Sequence, residues 1–190
     1  MSSEIKEILY FSVKGAANTD AVLKAAFKRA EELGIKTVIV ASTYGDTGVK
    51  VSELFKGYTV VVVTHVTGFR EPNEQQLTES NREKILAKGA KILTTTHAFA
   101  GLGRAVKNKF GTVQAEEIVA DTLRIFGQGM KVACEIAVMA VDAGYVRTDE
   151  DVISIAGSGR GADTAIVVRP VNVHNFFDMK VKEIICKPNV

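Results

Sequence analysis

Short apolar runs rich in β-branched residues recur along the chain, and most of them contain few polar positions. These runs predict strands at Thr37–Ala41, Thr59–Val63, Lys91–Thr95, Asp151–Ala156 and Thr164–Val171. Runs without polar alternation are typical of strands covered on both faces, so they indicate a mostly parallel sheet. Two weaker runs, Ile8–Val13 and Phe177–Cys186, predict one further strand near each end of the chain.

Segments with helical periodicity alternate with these strands. Helices are predicted over Asn18–Leu33 (ending at Gly34), Thr47–Phe55, Asn73–Lys88, Thr112–Phe126 and Met130–Ala143, and Ala100–Phe110 fits either a short helix or an ordered loop. Asn73 with Gln76 three positions later has the pattern of a capping box, and Thr112 is the predicted N-cap of its helix. Met130–Ala143 is apolar nearly all round and should be the most buried helix.

This alternation predicts an α/β sandwich formed by one domain over residues 1–190. The strands Asp151–Ala156 and Thr164–Val171 are joined only by Gly157–Asp163. Such a connection is too short for a crossover helix, so these two strands should run antiparallel.

Composition narrows the class of protein. Hydrophobic residues make up 46% and charged residues 24% of 190 residues, which is typical of a globular domain. Lys and Arg number 24 against 22 Asp and Glu, and they are scattered, so neither a nucleic-acid nor a membrane partner is expected. Cys134 and Cys186 are too few for a disulfide framework. Met1–Lys6 is polar and lacks the apolar segment of a signal peptide, so a cytoplasmic location is expected.

Two glycine-containing segments follow predicted strands at the sheet edge where open α/β folds bind ligands. The first comprises Ser42, Thr43, Tyr44, Gly45, Asp46, Thr47 and Gly48. Its hydroxyls and the start of the next helix suit an anion, although the same residues also suit an ordinary capped turn.

The second segment comprises Gly157, Ser158, Gly159, Arg160, Gly161, Ala162 and Asp163. Its alternate glycines would let the backbone approach a ligand, and Arg160 can bind a phosphate or carboxylate. It is not a dinucleotide fingerprint, because a strand rather than a helix follows it. A glycine-rich hairpin without a ligand is the alternative.

Two further strands end in histidine. Thr64 and His65 follow one strand, and Thr96 and His97 follow the next, so both histidines should lie near the same edge of the sheet. A general acid or base role is possible in principle. No third ligand with metal-type spacing accompanies them, so no metal is expected.

At these segments the sequence resembles a known family. Val38–Thr47 resembles the first strand and phosphate loop of the pyruvate kinase C-terminal domain, and Asp151–Thr164 resembles its last hairpin, which carries the effector loop. More closely, the whole chain resembles stand-alone archaeal-type proteins called pyruvate kinase alpha/beta domain-like. The resemblance implies a three-layer α/β/α sandwich with a five-stranded core sheet of order 3-2-1-4-5, counted from Thr37–Ala41, with the last strand antiparallel and small terminal additions.

The resemblance also implies a ligand. In pyruvate kinases these loops hold a sugar bisphosphate, and Ser42, Gly45 and Thr47 match the phosphate-loop pattern, while Gly157, Gly159 and Gly161 fall in the effector loop. Asp46 departs from that pattern, since pyruvate kinases often carry a basic residue there. For the stand-alone proteins the resemblance implies flavin mononucleotide (FMN), with Tyr44, Phe69 and Phe99 as possible neighbours of its ring.

The expected function is therefore binding of a phosphorylated ligand, FMN, at the carboxyl ends of the parallel strands. Pyruvate kinase activity is not expected, because a catalytic barrel alone takes about 250 residues. Two alternatives stay open: a flavin- or histidine-dependent enzyme acting on a small metabolite through His65 or His97, and a ligand-sensing regulatory module. The apolar helix Met130–Ala143 is compatible with a homo-oligomer.

Overall fold

A seven-stranded sheet organises the part of the chain that the computed structural model describes, residues 5–190. Its strands are β1 (Leu9–Phe11), β2 (Thr37–Ala41), β3 (Thr59–Val63), β4 (Lys91–Leu93), β5 (Val152–Ala156), β6 (Thr164–Arg169) and β7 (Lys180–Pro188). The expectation about a signal peptide rests on Met1–Lys6, of which residues 1–4 lie outside the described range.

Six α-helices connect the strands of the described chain. They are α1 (Thr19–Leu33), α2 (Asp46–Leu54), α3 (Glu79–Ala87), α4 (Gly101–Phe110), α5 (Ala115–Arg124) and α6 (Gln128–Asp142), with short 3-10 helices at Ala16–Asn18 and Val173–Asp178. No helix within residues 5–190 combines the length and hydrophobicity needed to cross a bilayer.

The strand order is β1-β7-β6-β5-β2-β3-β4. Strands β2 to β5 pair in parallel, and β6 runs antiparallel to β5. The predicted central order and the antiparallel fifth strand are therefore confirmed. The terminal strands extend the same sheet, since β7 pairs with β6 and β1 pairs with β7, so the sheet has seven strands rather than five.

Both faces of the sheet are covered, as the unalternated apolar runs predict. Val38 and Val40 of β2 face a core formed with α1, α2 and α3, whereas Ile39 between them faces a second core dominated by α6. The parallel strands thus form the middle layer of three, and their carboxyl ends remain as the open edge.

Two helix starts differ from the sequence predictions. Helix α3 begins at Glu79, where Thr78 is the N-cap and its hydroxyl accepts from the Asn81 N–H at 3.3 Å. Asn73 instead lies in a turn at φ 67° and caps no helix. Helix α5 begins at Ala115 rather than after Thr112, because the Gln114 N–H donates to the side chain of Glu117 at 3.2 Å.

Other boundaries also move. The last strand is Lys180–Pro188 rather than Phe177–Cys186, because residues 173–178 form a 3-10 helix, and the first strand is shorter than Ile8–Val13. Strands β4 and β6 end earlier than predicted, and the ambiguous segment before Phe110 is helical. Helix α6 is the most buried helix, as predicted, but its buried residues include Lys131 and Glu135.

Both cysteines should be inert in the folded domain. Burial raises the pKa of each thiol, Cys134 and Cys186, to about 12, so almost no thiolate forms at neutral pH. We expect a chromogenic disulfide reagent to label both cysteines rapidly in denaturant. In native buffer the labelling should be slow and limited by the rate at which the domain unfolds. Fast labelling of either thiol in the native protein would contradict this burial.

Candidate functional site

A cleft of about 740 Å³ lies at the carboxyl ends of β2 and β5. From β2 the sheet continues to β3 on one side and to β5 on the other, so this is the switch point of the topology. The cleft is lined by residues from both glycine-containing segments, from α1 and α6, and from the loop after β3: Ala16, Thr19, Ala41, Ser42, Thr43, Tyr44, Asp46, Thr47, Lys50, His65, Arg70, Gln76, Gln128, Val132, Gly157, Gly159, Arg160 and Gly161. A second hollow, of about 950 Å³, lies along β7 and does not include these residues.

One wall of the cleft is the turn from β2 into α2. The buried Ser42 hydroxyl accepts from the Gly48 N–H at 3.0 Å, and Gly45 at φ 99° starts the helix. An added Cβ on Gly45 would lie 2.5 Å from the Asn81 Cβ, so glycine is required there for packing. The first N–H groups of a helix have no intrahelical acceptor, and those of Asp46 and Thr47 begin α2 on the cleft wall.

The opposite wall is the loop between β5 and β6, and a buried carboxylate shapes it. Asp163 is fully buried. Its Oδ2 accepts from the N–H groups of Gly15 at 2.9 Å and Ser158 at 3.0 Å, and its Oδ1 accepts from the Thr164 hydroxyl at 2.8 Å. Asp163 therefore holds the loop in place and does not line the cleft.

The loop glycines serve packing more than ligand approach. An added Cβ on Gly157 would lie 2.5 Å from the Gly161 carbonyl oxygen, and one on Gly161 would lie 2.5 Å from the Ala16 Cα. At Gly159, with φ 97°, an added Cβ meets no atom of the described residues within 4 Å. The expectation that alternate glycines admit a ligand thus applies best to Gly159, because the other two face the chain itself.

Arg160 connects the two walls. Its guanidinium lies 3.6 Å from the Asp46 carboxylate and 4.8 Å from the centre of the Tyr44 ring. Both charged side chains are largely exposed. The departure of Asp46 from the pyruvate kinase pattern is therefore balanced in this chain by an arginine from the opposite loop.

Two further basic residues line the cleft that sequence reasoning did not identify. Lys50 lies one turn into α2 from Asp46, and its ammonium pairs with Asp20 at 2.7 Å. Arg70 comes from the loop between β3 and α3. Spacing on α2 could have pointed to Lys50, whereas no local pattern marks Arg70. The charged lining is thus three basic side chains and one acidic side chain, which favours an anion.

His65 lines the cleft and is held by neighbours. Its Nδ1 lies 2.7 Å from Gln76 Oε1, its Nε2 lies 3.5 Å from Thr43 Oγ1, and its ring centre lies 4.1 Å from that of Phe69. Gln76 is another lining residue: the sequence pattern places it in a capping box with Asn73, whereas in the structure it lies in the loop before α3. The structure thus brings together a hydroxyl, an imidazole and an amide that the sequence separates.

His97 lies behind His65, with ring centres 5.4 Å apart, and does not line the cleft. Its Nε2 accepts from the Val66 N–H at 3.3 Å. Thr64 is buried and bonds Thr94 Oγ1 at 2.6 Å, and Thr96 is exposed outside the cleft. The remaining candidates Gly45, Gly48, Ser158 and Ala162 support the walls without lining them.

A buried ion pair lies beneath the turn that carries His97. Lys131 and Glu135, one turn apart on α6, pair with each other, and Glu135 Oε1 accepts from the Phe99 N–H at 3.0 Å. Phe99 packs edge-on against Phe176, so it is turned away from the cleft. Within residues 5–190 no three His, Cys, Asp or Glu side chains are grouped to hold a metal.

The sequence matches the family described as "Pyruvate kinase, alpha/beta domain" over residues 20–168. The chain therefore belongs to this family, which confirms the family resemblance seen in the two glycine-containing segments.

Similar solved structures include two of pyruvate kinase from Cryptosporidium parvum, each 13% identical to this chain. One aligns with 82% of this chain at a TM-score of 0.40, and another, in complex with ADP, aligns with 91% at a TM-score of 0.39. This chain spans 24% of the length of each. An O-ureido-L-serine synthase is 17% identical and aligns over 70% of this chain and 49% of its own length, with a TM-score of 0.33.

Replacing Asp163 by asparagine should destabilise the whole domain. The asparagine side chain keeps one acceptor oxygen, but its NH₂ group would face N–H or O–H groups that now donate to the carboxylate. We expect Asp163→Asn to lower the free energy of unfolding by about 2 kcal/mol or more, measured by chemical denaturation. Asp178→Asn, at an exposed position, is the control, and equal small effects would refute the role of Asp163.

The domain should lose stability in mild acid through His97. Burial lowers the pKa of His97, with repulsion from His65, Lys131 and Arg104 adding to the effect and Glu135 opposing it. The pKa of His97 in the folded domain lies below the ordinary value, which the unfolded chain has. At pH values between these two pKa values the unfolded chain binds more protons than the folded domain. The free energy of unfolding therefore falls as pH drops below about 6.5.

We expect His97→Gln to flatten this fall between neutral pH and the onset of carboxylate titration, measured by denaturant unfolding at several pH values. His174→Gln, at an exposed position, should keep the wild-type slope. An identical pH slope in wild type and His97→Gln would contradict the assignment.

Proposed function

We propose that this domain binds a phosphorylated ligand in the cleft between Ser42–Gly48 and Gly157–Gly161, and that this ligand is FMN. The observation that carries the proposal is the position of Arg160, which faces the start of α2 across the cleft. A helix start and an arginine on opposite walls form a clamp suited to a phosphate group.

The phosphate would lie against the N–H groups of Asp46 and Thr47, and the Thr43 and Thr47 side chains also line that wall. Arg160 supplies a guanidinium from the other wall. Lys50 and Arg70 add positive charge at the rim of the cleft. A bound phosphate would compete with Asp46 for Arg160. Because the Asp46–Arg160 pair is largely exposed, breaking it costs little free energy.

The rest of the cleft has the size and lining for a flat ring. Its volume of about 740 Å³ lies within the range of cofactor sites. Tyr44 lines the cleft beside Arg160, Val132 of α6 contributes an apolar surface, and Gln76 and Gln128 supply amides that can bond ring carbonyl and nitrogen atoms. Bound FMN would supply hydride and electron transfer. The assignment is one of binding, and it includes no pyruvate kinase activity for this domain.

Arg160→Ala should weaken FMN binding about tenfold while changing riboflavin binding little, because riboflavin lacks the phosphate. Quenching of flavin fluorescence on titration measures both affinities. Arg147→Ala is a matched control, since Arg147 is equally exposed but lies away from the cleft and pairs with Asp149. An equal loss of affinity for FMN and riboflavin would show that Arg160 does not contact the phosphate. If wild type does not quench FMN fluorescence, FMN is not the ligand.

A further inference from the structure

The side chain of Gln76 contacts one ring nitrogen of His65. Gln76 Oε1 lies 2.7 Å from His65 Nδ1, and Gln76 Nε2 donates to the Tyr44 hydroxyl at 3.2 Å. A carbonyl oxygen accepts only, so in this orientation of the amide the proton is on His65 Nδ1. The neutral ring then has its lone pair on Nε2, the nitrogen that faces Thr43.

Other contacts keep this ring in place. Gln75 Nε2 donates to the His65 carbonyl at 3.0 Å, and the Thr64 hydroxyl donates to the same oxygen at 3.0 Å. Phe69 covers one face of the ring. His65 is thus oriented through its backbone, its ring face and Nδ1, and Nε2 is the nitrogen presented to the cleft wall.

Thr43 and His65 have the arrangement of a nucleophile with its base. The Thr43 hydroxyl lies 3.5 Å from His65 Nε2, and Gln76 holds the far side of the imidazole. Catalytic hydrogen bonds are often long before substrate binds and tighten in the complex. The order hydroxyl, imidazole, acceptor is the geometry by which such sites are recognised, whatever their sequence positions.

The surroundings select an anionic electrophile. The hydroxyl of Thr43 lies on the same wall as the start of α2, and Lys50, Arg70 and Arg160 line the same cleft. These groups can neutralise the charge that repels a nucleophile from a phosphate. A phosphoryl group is therefore a better match to this cleft than an uncharged ester.

We propose that Thr43 and His65 form a phosphoryl-transfer centre for phosphate monoesters, with Gln76 as the positioning residue. The proposal rests on the proposed function, in which the phosphate of a bound ligand lies between the two loops. FMN is itself a phosphate monoester, so under this proposal FMN is also a substrate and is cleaved to riboflavin and phosphate.

The reaction has two balanced steps. Thr43 Oγ1 bonds to phosphorus while its proton passes to His65 Nε2, and the bond from phosphorus to the ester oxygen breaks on the opposite side, where the leaving oxygen takes its proton from solvent. Water then attacks phosphothreonine from that side and gives one proton to solvent, the bond from phosphorus to Thr43 Oγ1 breaks, and His65 Nε2 returns its proton to Thr43 as inorganic phosphate is released. The net change is hydrolysis of the monoester to an alcohol and phosphate.

Hydrolysis of p-nitrophenyl phosphate tests the centre, with nitrophenolate colour as the measurement. Wild type should release nitrophenolate, and Thr43→Val and His65→Ala should each lower kcat by about 100-fold or more. Thr148→Val and His174→Ala change an exposed threonine and an exposed histidine away from the cleft, and both should match wild type. No release by wild type, or wild-type rates in Thr43→Val or His65→Ala, would overturn the proposal.

The covalent step has its own readout. After acid quenching, trypsin should yield the peptide Thr37–Lys50 with one added phosphoryl group, and fragmentation should place it on Thr43. Thr43→Val should lose this modified peptide. If hydrolysis depends on His65 but the peptide from wild type is never phosphorylated, Thr43 is not the nucleophile and the proposal fails.

Gln76 is tested as a positioning residue by ¹⁵N NMR of the His65 ring. Wild type should show a protonated Nδ1 and an unprotonated Nε2, and Gln76→Ala should mix the two tautomers and lower kcat about tenfold. Gln76→Glu keeps an oxygen for Nδ1 and should restore both properties. A tautomer that is unchanged in Gln76→Ala would refute this role.

Binding separates this proposal from the proposed function. If FMN or inorganic phosphate binds wild type and Thr43→Val alike while nitrophenolate is not released, the transfer chemistry is wrong and the binding function stands. If neither binds wild type, the phosphate site itself is wrong and both proposals fail.

Discussion

The carboxylate of Asp163 joins parts of the chain that lie far apart in sequence. Through one oxygen it accepts from the amides of Gly15 and Ser158, and through the other from the Thr164 hydroxyl. The loop after β5 is thereby held against the turn that starts α1, where Thr19 Oγ1 also accepts from the Ala162 N–H at 3.0 Å. A buried charge is tolerated because donors surround it. The Asp163 contacts and the bond from Ala162 to Thr19 together hold the wall that carries Arg160.

The cleft follows from that wall and from the parallel sheet. Parallel strands covered on both faces leave their carboxyl ends as the exposed polar edge, and the order at β5-β2-β3 opens a gap there. The N–H groups at the start of α2 lie on one wall of the cleft, and Arg160 lies on the opposite wall. His65 follows β3, so the proposed anion site and an oriented imidazole lie at one edge of one sheet.

The central strands, their order and the antiparallel hairpin could be predicted because continuous apolar runs and a short connection restrict the fold strongly. Boundaries set by capping were less predictable, since Thr78 and Gln114 end their loops through specific hydrogen bonds and not through hydropathy. The two loops of the cleft were also predictable from glycine and hydroxyl content. Arg70 and Gln76 were not, because the loop that carries them has no periodicity.

The sequence by itself determined the class of fold and the family, and it predicted the two loops that form the walls of the cleft, because strand burial and local turn chemistry are properties of contiguous residues. The tertiary structure alone decided what each candidate does. In the structure Asp163 is buried and holds a loop in place, Asp46 pairs with Arg160, and His65 contacts Thr43 and Gln76. Such roles depend on distances between segments far apart in the chain, and only the packing of helices and loops around the sheet sets those distances.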